Sequence, residues 1–131
     1  MALRIETWRI FGASSDVSLL SVEIADTFSA RFFGLMGRAS IAPGRGLFLS
    51  PCSSVHMCFM RFAIDVAYVA RARGAEGEGW RVVKIARRLR PWIGLSACPG
   101  ADAALELAAG EAERLGLETG MILERTGGGF R

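Results

Sequence analysis

Histidine occurs once in this chain, at position 56, and cysteine three times, at positions 52, 58 and 98. An odd cysteine count cannot build a full disulfide framework, so at most one intramolecular bridge could form. There is no CxxC pair to make a zinc knuckle. No phosphate-binding glycine loop, GxSxG elbow or paired-carboxylate spacing is present, which removes the commonest signatures of nucleotide and hydrolase chemistry. No apolar run has the length of a membrane span, and MALRIETWRIFG lacks the charged, apolar and small-residue regions of a signal peptide. The chain as written is expected in the cytoplasm; a periplasmic or exported location stays open if a leader once preceded it.

What is present is ordinary globular material. The 131 residues suit one compact domain spanning 1–131, and with 51% hydrophobic and 22% charged residues there is enough apolar mass for a core. The 16 basic and 13 acidic residues nearly cancel to +3, a weak argument for a polyanion partner. The densest basic run is Arg81 to Arg90, where Arg81, Lys84, Arg87, Arg88 and Arg90 surround Val82, Val83, Ile85 and Leu89. On a strand, such charges form one solvated face more often than a nucleic-acid footprint.

Hydrophobic period sketches the elements. In VSLLSVEIA (17–25), Leu20, Val22 and Ile24 share one strand face. In TFSARFFGLMGR, Asp26 or Thr27 can cap a main amphipathic helix with Phe28, Phe32, Leu35 and Met36 on one side and Gly37 as its stop. IAPGRG is a turn-rich connection before the apolar GLFLS. Residues 55–70 read as two strands with a bend near 61–63, and Ile64 to Val69 is apolar on both faces, as a central strand should be. ARGAEGEG (72–79) is a hairpin loop leading to a strand over 80–89, and 91–100 is irregular. Gly110 argues against one continuous helix over 101–115, so ALEL becomes a strand, AGEAERLG a short helix closed by Gly116, and MILER a last strand. The fold class expected is α+β and β-rich: a compact, barrel-like set of short, mainly antiparallel strands with one main and one short helix. The tail 126–131 is expected to fray.

RFFGLMGR (31–38), GLFLSPCSSVHMCFMRFAIDVAYV (46–69), VVKIARRLRPW (82–92), ALELAAG (104–110) and GLETGMIL (116–123) follow one another in the order found in the DUF192 family, which the chain resembles over about 31–123. The resemblance implies that Gly34, Leu35, Met36 and Arg38 fill a helix-end motif. It assigns His56, Met60, Phe62, Ile64 and Asp65 to a central motif, and Pro91, Trp92, Leu105, Glu106 and Gly110 to the later ones. The family varies at the positions of Cys58 and Cys98 and has proline at those of Ala63 and Ala109, which counts against a shared thiol chemistry. It implies a compact, mostly β fold and, being a family of unknown function, supplies no substrate.

Chemistry can still be weighed residue by residue. Cys52, His56, Cys58 and Cys98 could ligate a metal only by converging on one tetrahedron, and free cysteine is as often a small buried hydrophobe, so neither a metal nor any other cofactor is expected. Cys52 and His56 could act as nucleophile and base, with no oxyanion-hole motif to accompany them. Met57 and Met60 beside Phe59 and Phe62 read as core. Asp65, between Ile64 and Val66, must either pair with an arginine (Arg38, Arg61 or Arg90) or accept backbone hydrogen bonds, because an unpartnered buried charge is costly; Glu106 between Leu105 and Leu107 poses the same question. The functional expectation is a ligand-binding or accessory domain, not an enzyme, with a shallow pocket edged by Arg38, His56, Arg61, Asp65 and Trp92 that suits a small anionic or planar ligand. A Cys/His-dependent hydrolase and a basic nucleic-acid-binding or regulatory protein are the alternatives.

Overall fold

In the computed structural model, which describes residues 3–11, 17–74 and 77–126, the elements run β1 (Arg4–Phe11), β2 (Val17–Ala25), α1 (Phe28–Phe33), β3 (Arg45–Leu49), β4 (Ser54–His56), β5 (Ile64–Gly74), β6 (Gly77–Leu89), β7 (Leu95–Ala97), β8 (Ala103–Ala108), α2 (Glu111–Arg114) and β9 (Ile122–Arg125). Seven strands close into a barrel in the order β1-β2-β3-β8-β5-β6-β9, and β4 pairs with β7 as a separate ribbon. β9 returns to β1, so the barrel has no open edge to pair with another chain. The pairings are antiparallel except that of β2 with β3.

The two-residue period of each strand sorts its side chains between two cores. Leu20, Val22 and Ile24 of β2, Phe48 of β3, Ala67 and Val69 of β5, and Leu105 and Leu107 of β8 point into the barrel. The rings of Trp8 and Phe48 (centroids 4.7 Å apart) and of Phe48 and Trp80 (4.9 Å) fill it. Ala112, Leu115 and Leu117, on and just after α2, belong to the same cluster and plug one mouth. The opposite parity, Leu47 and Leu49 of β3, Ile64, Val66 and Tyr68 of β5 and Ala104 of β8, faces outward into a second core with Leu35, Ile41, Val55, Met57 and Met60. The chain between β2 and β3 and the β4–β7 ribbon thus roof one side of the barrel. From Ile64 to Val69, β5 is buried on both faces because it lies between barrel and roof, and it pairs with β6 and β8.

The strands over 17–25, 64–69, 80–89, 104–107 and 121–125 stand where the pattern put them, with the short helix at α2 and Gly116 at φ 68° just beyond it. The main helix does not. Thr27 caps α1 by accepting the Ala30 N–H at 3.2 Å, but Gly34 at φ 47° ends it after six residues, its N–H donating to the Ala30 carbonyl. Leu35 and Met36 reach the roof core from the turns that follow, while Phe32 and Phe33 stay exposed. The side chain of Phe28 lies outside what is described. Apolar spacings of four, three and one fit a short helix followed by tight turns as well as a longer helix, so among the described residues there are two short helices and no main one. The 72–79 loop is also shorter than expected, with strand to Gly74 and again from Gly77; residues 75 and 76, and the tail from 127 on, lie outside the described residues.

Candidate functional site

Asp65 opens β5 on the inward parity, at the mouth plugged by α2. Its Oδ1 accepts the Arg88 backbone N–H at 2.9 Å, and its Oδ2 accepts those of Gly110 (3.0 Å) and Ala112 (2.9 Å). A carboxylate holding three backbone donors supplies a helix N-terminus with acceptors that it otherwise lacks. The partner that the apolar surroundings of Asp65 demand is therefore backbone. Of the arginines proposed for it, Arg38 makes a bidentate pair with Glu23 (2.8 and 3.2 Å) and Arg61 reaches the Gly37 carbonyl at 3.5 Å.

Glu106 takes the other parity. On the outer face, pairing sets Glu23, Leu47, Glu106 and Val66 in one row across β2, β3, β8 and β5. Glu106 is 6% exposed, forms no hydrogen bond among the described residues, and lies beneath α1, where a Cβ on Gly34 would sit 3.8 Å from its Oε1. Burial pushes its carboxyl up to about 7, against the opposing pull of the Arg38 guanidinium. The same guanidinium, by its hydrogen bonds to Glu23, holds that carboxyl below its ordinary value. A proton at Glu106 is thus finely balanced near neutrality.

Above Glu106 opens a cavity of about 410 Å³ between α1 and β4. Phe32, Phe33, Met36, Leu49, Val55 and Met60 supply its apolar walls, and Arg31, Cys52 and His56 also line it. Arg31 is anchored by its Nη1 donating to the Pro51 carbonyl at 3.0 Å. The Cys52 Sγ donates to the Ser54 carbonyl at 3.2 Å, and burial pushes its thiol up, the reverse of what a thiolate nucleophile needs. Cys52, His56, Cys58 and Cys98 do not gather: the three cysteines are free, and among the described residues no three His, Cys, Asp or Glu side chains are placed to hold a metal ion.

Of the five residues expected to edge one pocket, His56 alone lines this cavity. Asp65 serves the barrel mouth, and Arg38 touches the site through its field at Glu106. Arg61 and Trp92 sit on neighbouring loops, Trp92 exposed with its ring against Phe59, centroids 5.1 Å apart.

A model of the family DUF192, described as an uncharacterized ACR, matches residues 10–125. The chain belongs to the DUF192 family. Two solved structures share its fold. A "putative transcription regulator" from Sinorhizobium meliloti 1021 is 25% identical with a TM-score of 0.84, covering 95% of this chain and 96% of its own. A protein of unknown function from Novosphingobium aromaticivorans DSM 12444 is 26% identical with a TM-score of 0.79, covering 93% and 86%. No curated protein matches the chain.

For this DUF192 chain, sequence reasoning singled out Glu106 as a question and left it out of the site. Its alternation with Leu105 and Leu107, which both point into the barrel, could have put it on the roofed face. It missed Arg31, Phe32 and Phe33, read as part of a helix packed into the core. It also missed a second cavity of about 250 Å³ with Arg4, Glu6, Trp80 and Arg125 among its lining. That cavity includes Arg71, six residues along β5 from Asp65, and so opens at the mouth opposite α2. There Glu6 is held by Trp8 Nε1 (3.0 Å), Arg4 and Arg125, a closed set of structural pairs.

Proposed function

We propose that the cavity beneath α1 binds a small planar molecule carrying a weakly acidic group, and that this chain is a binding domain, not an enzyme. The observation that carries the reading is Glu106: a largely buried carboxyl that lines the cavity and has no hydrogen-bond partner among the described protein residues. Burying a polar group unsatisfied costs free energy, and a ligand group that satisfies it recovers that cost. With its carboxyl raised to about 7, Glu106 is protonated below about pH 7 and can then donate to a ligand carboxylate. Arg31 and His56 add the cationic and imidazole groups that favour an anion, and Phe32 and Phe33 the aromatic faces that suit a planar body.

Phenylacetate is the probe. NMR titration of the whole protein should move the Gly34, Val55 and Glu106 resonances with a dissociation constant of about 1 mM or tighter. Affinity should fall roughly tenfold between about pH 6 and pH 8 as Glu106 ionises. Phenethylamine, its cationic counterpart, should bind less well, and Glu106→Gln should flatten the pH profile. No shift at these resonances at either pH, or equal affinity at both, refutes the proposal.

A further inference from the structure

Around the mouth of the cavity lies an exposed apolar surface that extends well beyond the two residues, Phe32 and Phe33, that line the cavity itself. Phe32, Phe33, Phe59, Trp92, Ile93 and Leu95 are each between 56% and 75% exposed. They are contiguous through the fold. Phe32 and Phe33 share the cavity with His56, His56 pairs across the ribbon with Leu95, and Phe59 meets Trp92 edge to face. Isolated apolar residues on a surface are ordinary, but a cluster of large ones is a contact surface.

The two loops at its centre are fixed in place. The Met57 carbonyl accepts the N–H groups of Met60 and Trp92, and the Met57 N–H donates to the Gly94 carbonyl. A Cβ on Gly94 would come within 2.7 Å of both the Arg90 carbonyl and Met57 Cγ, so the loops interlock closely. Phe59 and Trp92 are held at φ 65° and 69°, a region that bulky side chains rarely adopt. Strained backbone thus places two large aromatics in solvent, at positions where glycine would be the relaxed choice.

Charge decides what covers them. All 13 acidic residues lie in 1–26, 65–78 and 102–131. Residues 27–64 and 79–101, which supply every member of the cluster, contain none, and carry Arg31, Arg38, Arg61, Arg87, Arg88 and Arg90 among their basic residues. Arg61, Arg87, Arg88 and Arg90 are exposed. Glu23 is paired with Arg38, Asp65 with backbone, Glu106 lies on the cavity floor, and Asp102 accepts the Arg71 N–H at 2.8 Å. An indole, three other large apolar side chains and two arginines on the same loops fit the boundary between lipid headgroups and acyl chains.

We infer that the face formed by Phe59, Trp92, Ile93 and Leu95, with Arg61 and Arg90 on the same two loops, docks onto anionic phospholipid. Because the barrel and the cavity are left unchanged, this does not depend on what the cavity binds.

The test is flotation of the full chain with phosphatidylcholine vesicles, with and without phosphatidylglycerol. Binding should require phosphatidylglycerol and fall at roughly 0.5 M salt, where the Debye length shrinks to a few ångström. Trp92→Gly relaxes the positive φ, so it should keep the melting temperature while losing about tenfold in vesicle binding. Arg90→Gln should lose roughly fivefold. Absence of flotation at low salt, equal flotation with phosphatidylcholine alone, or full binding by Trp92→Gly overturns the proposal. So does low-salt retardation of duplex DNA that Arg90→Gln abolishes while vesicles remain unbound, or a concentration-dependent dimer that Trp92→Gly dissolves. Phenylacetate titration of Trp92→Gly should be unchanged, which separates this proposal from that of the cavity.

Discussion

Replacing Asp65 should cost more stability than any other single polar substitution in the barrel, although the residue lies far from the cavity. Its two oxygens hold three backbone N–H groups from β6 and the start of α2. Hydrogen bonds to a charged group contribute about 1.5–3 kcal/mol each, and buried donors left unpaired cost a similar amount. The three do not add, since two share Oδ2 and the first turn of α2 can shift toward water. Asp65→Ala should therefore lose about 4 kcal/mol. Asp65→Asn keeps one acceptor for the Gly110 and Ala112 pair but turns an amide toward the Arg88 N–H, and should lose about 2 kcal/mol. Chains of this length have roughly 7–20 kcal/mol in total. The alanine variant should unfold at markedly lower urea with an unchanged m-value, and melt roughly 15 °C lower. Hydrogen exchange should accelerate at the Arg88, Gly110 and Ala112 amides before it does in β2. A loss below about 1 kcal/mol in Asp65→Ala, or exchange unchanged at those amides, would refute the assignment of Asp65 as the tie between β5, β6 and α2.

Glu106 should make the protein less stable as pH rises: its folded value of about 7 exceeds its ordinary 4.5, so the native state keeps a proton the unfolded chain has released. Stability should fall by about 3 kcal/mol between pH 4.5 and 7 on this account and level off above, and urea melts of Glu106→Gln should lack that slope. Among the thiols, exposed Cys58 should alkylate with iodoacetamide well before half-buried Cys52, whose raised thiol reacts only as pH climbs further; mass spectrometry of the labelled peptides checks the order. Gly94→Ala should lose about 2 kcal/mol or more in urea, because its Cβ meets backbone and not a flexible side-chain end.

Alternation made the barrel strands readable because each has one face in the barrel and a second that differs from it. Leu20, Val22 and Ile24 against Leu19 and Ser21 is a pattern that only a half-buried strand needs. β1 went unread because Trp8 and Ile10 are separated by arginine and surrounded by charge, so its register comes from pairing with β2 and β9. α1 was overextended because its apolar spacing continues into the turns after Gly34, which lie in the same core. The site was half legible. His56, Asp65 and Glu106 stood out as polar residues in apolar runs, but which face of the sheet each occupies depends on a roof built from residues 27–41 and the β4–β7 ribbon, whose packing no local period encodes.

The two buried carboxyls differ in what surrounds them. Asp65 pairs with Leu107 and Val66 with Glu106, so the two acids are neighbours in one ladder and point to opposite faces of it. Asp65 has three donors and Glu106 has none. If the first is support and the second a site held at the expense of stability, their substitutions must differ in sign above pH 7: Asp65→Asn destabilises, and Glu106→Gln stabilises by removing an ionised group from a largely buried position. With no shared partner and the sheet between them, the effects should add to within about 0.5 kcal/mol in the double variant. Strong coupling in that cycle would mean that the barrel mouth and the cavity are one energetic unit, and the division between a structural Asp65 and a ligand-facing Glu106 would have to be given up.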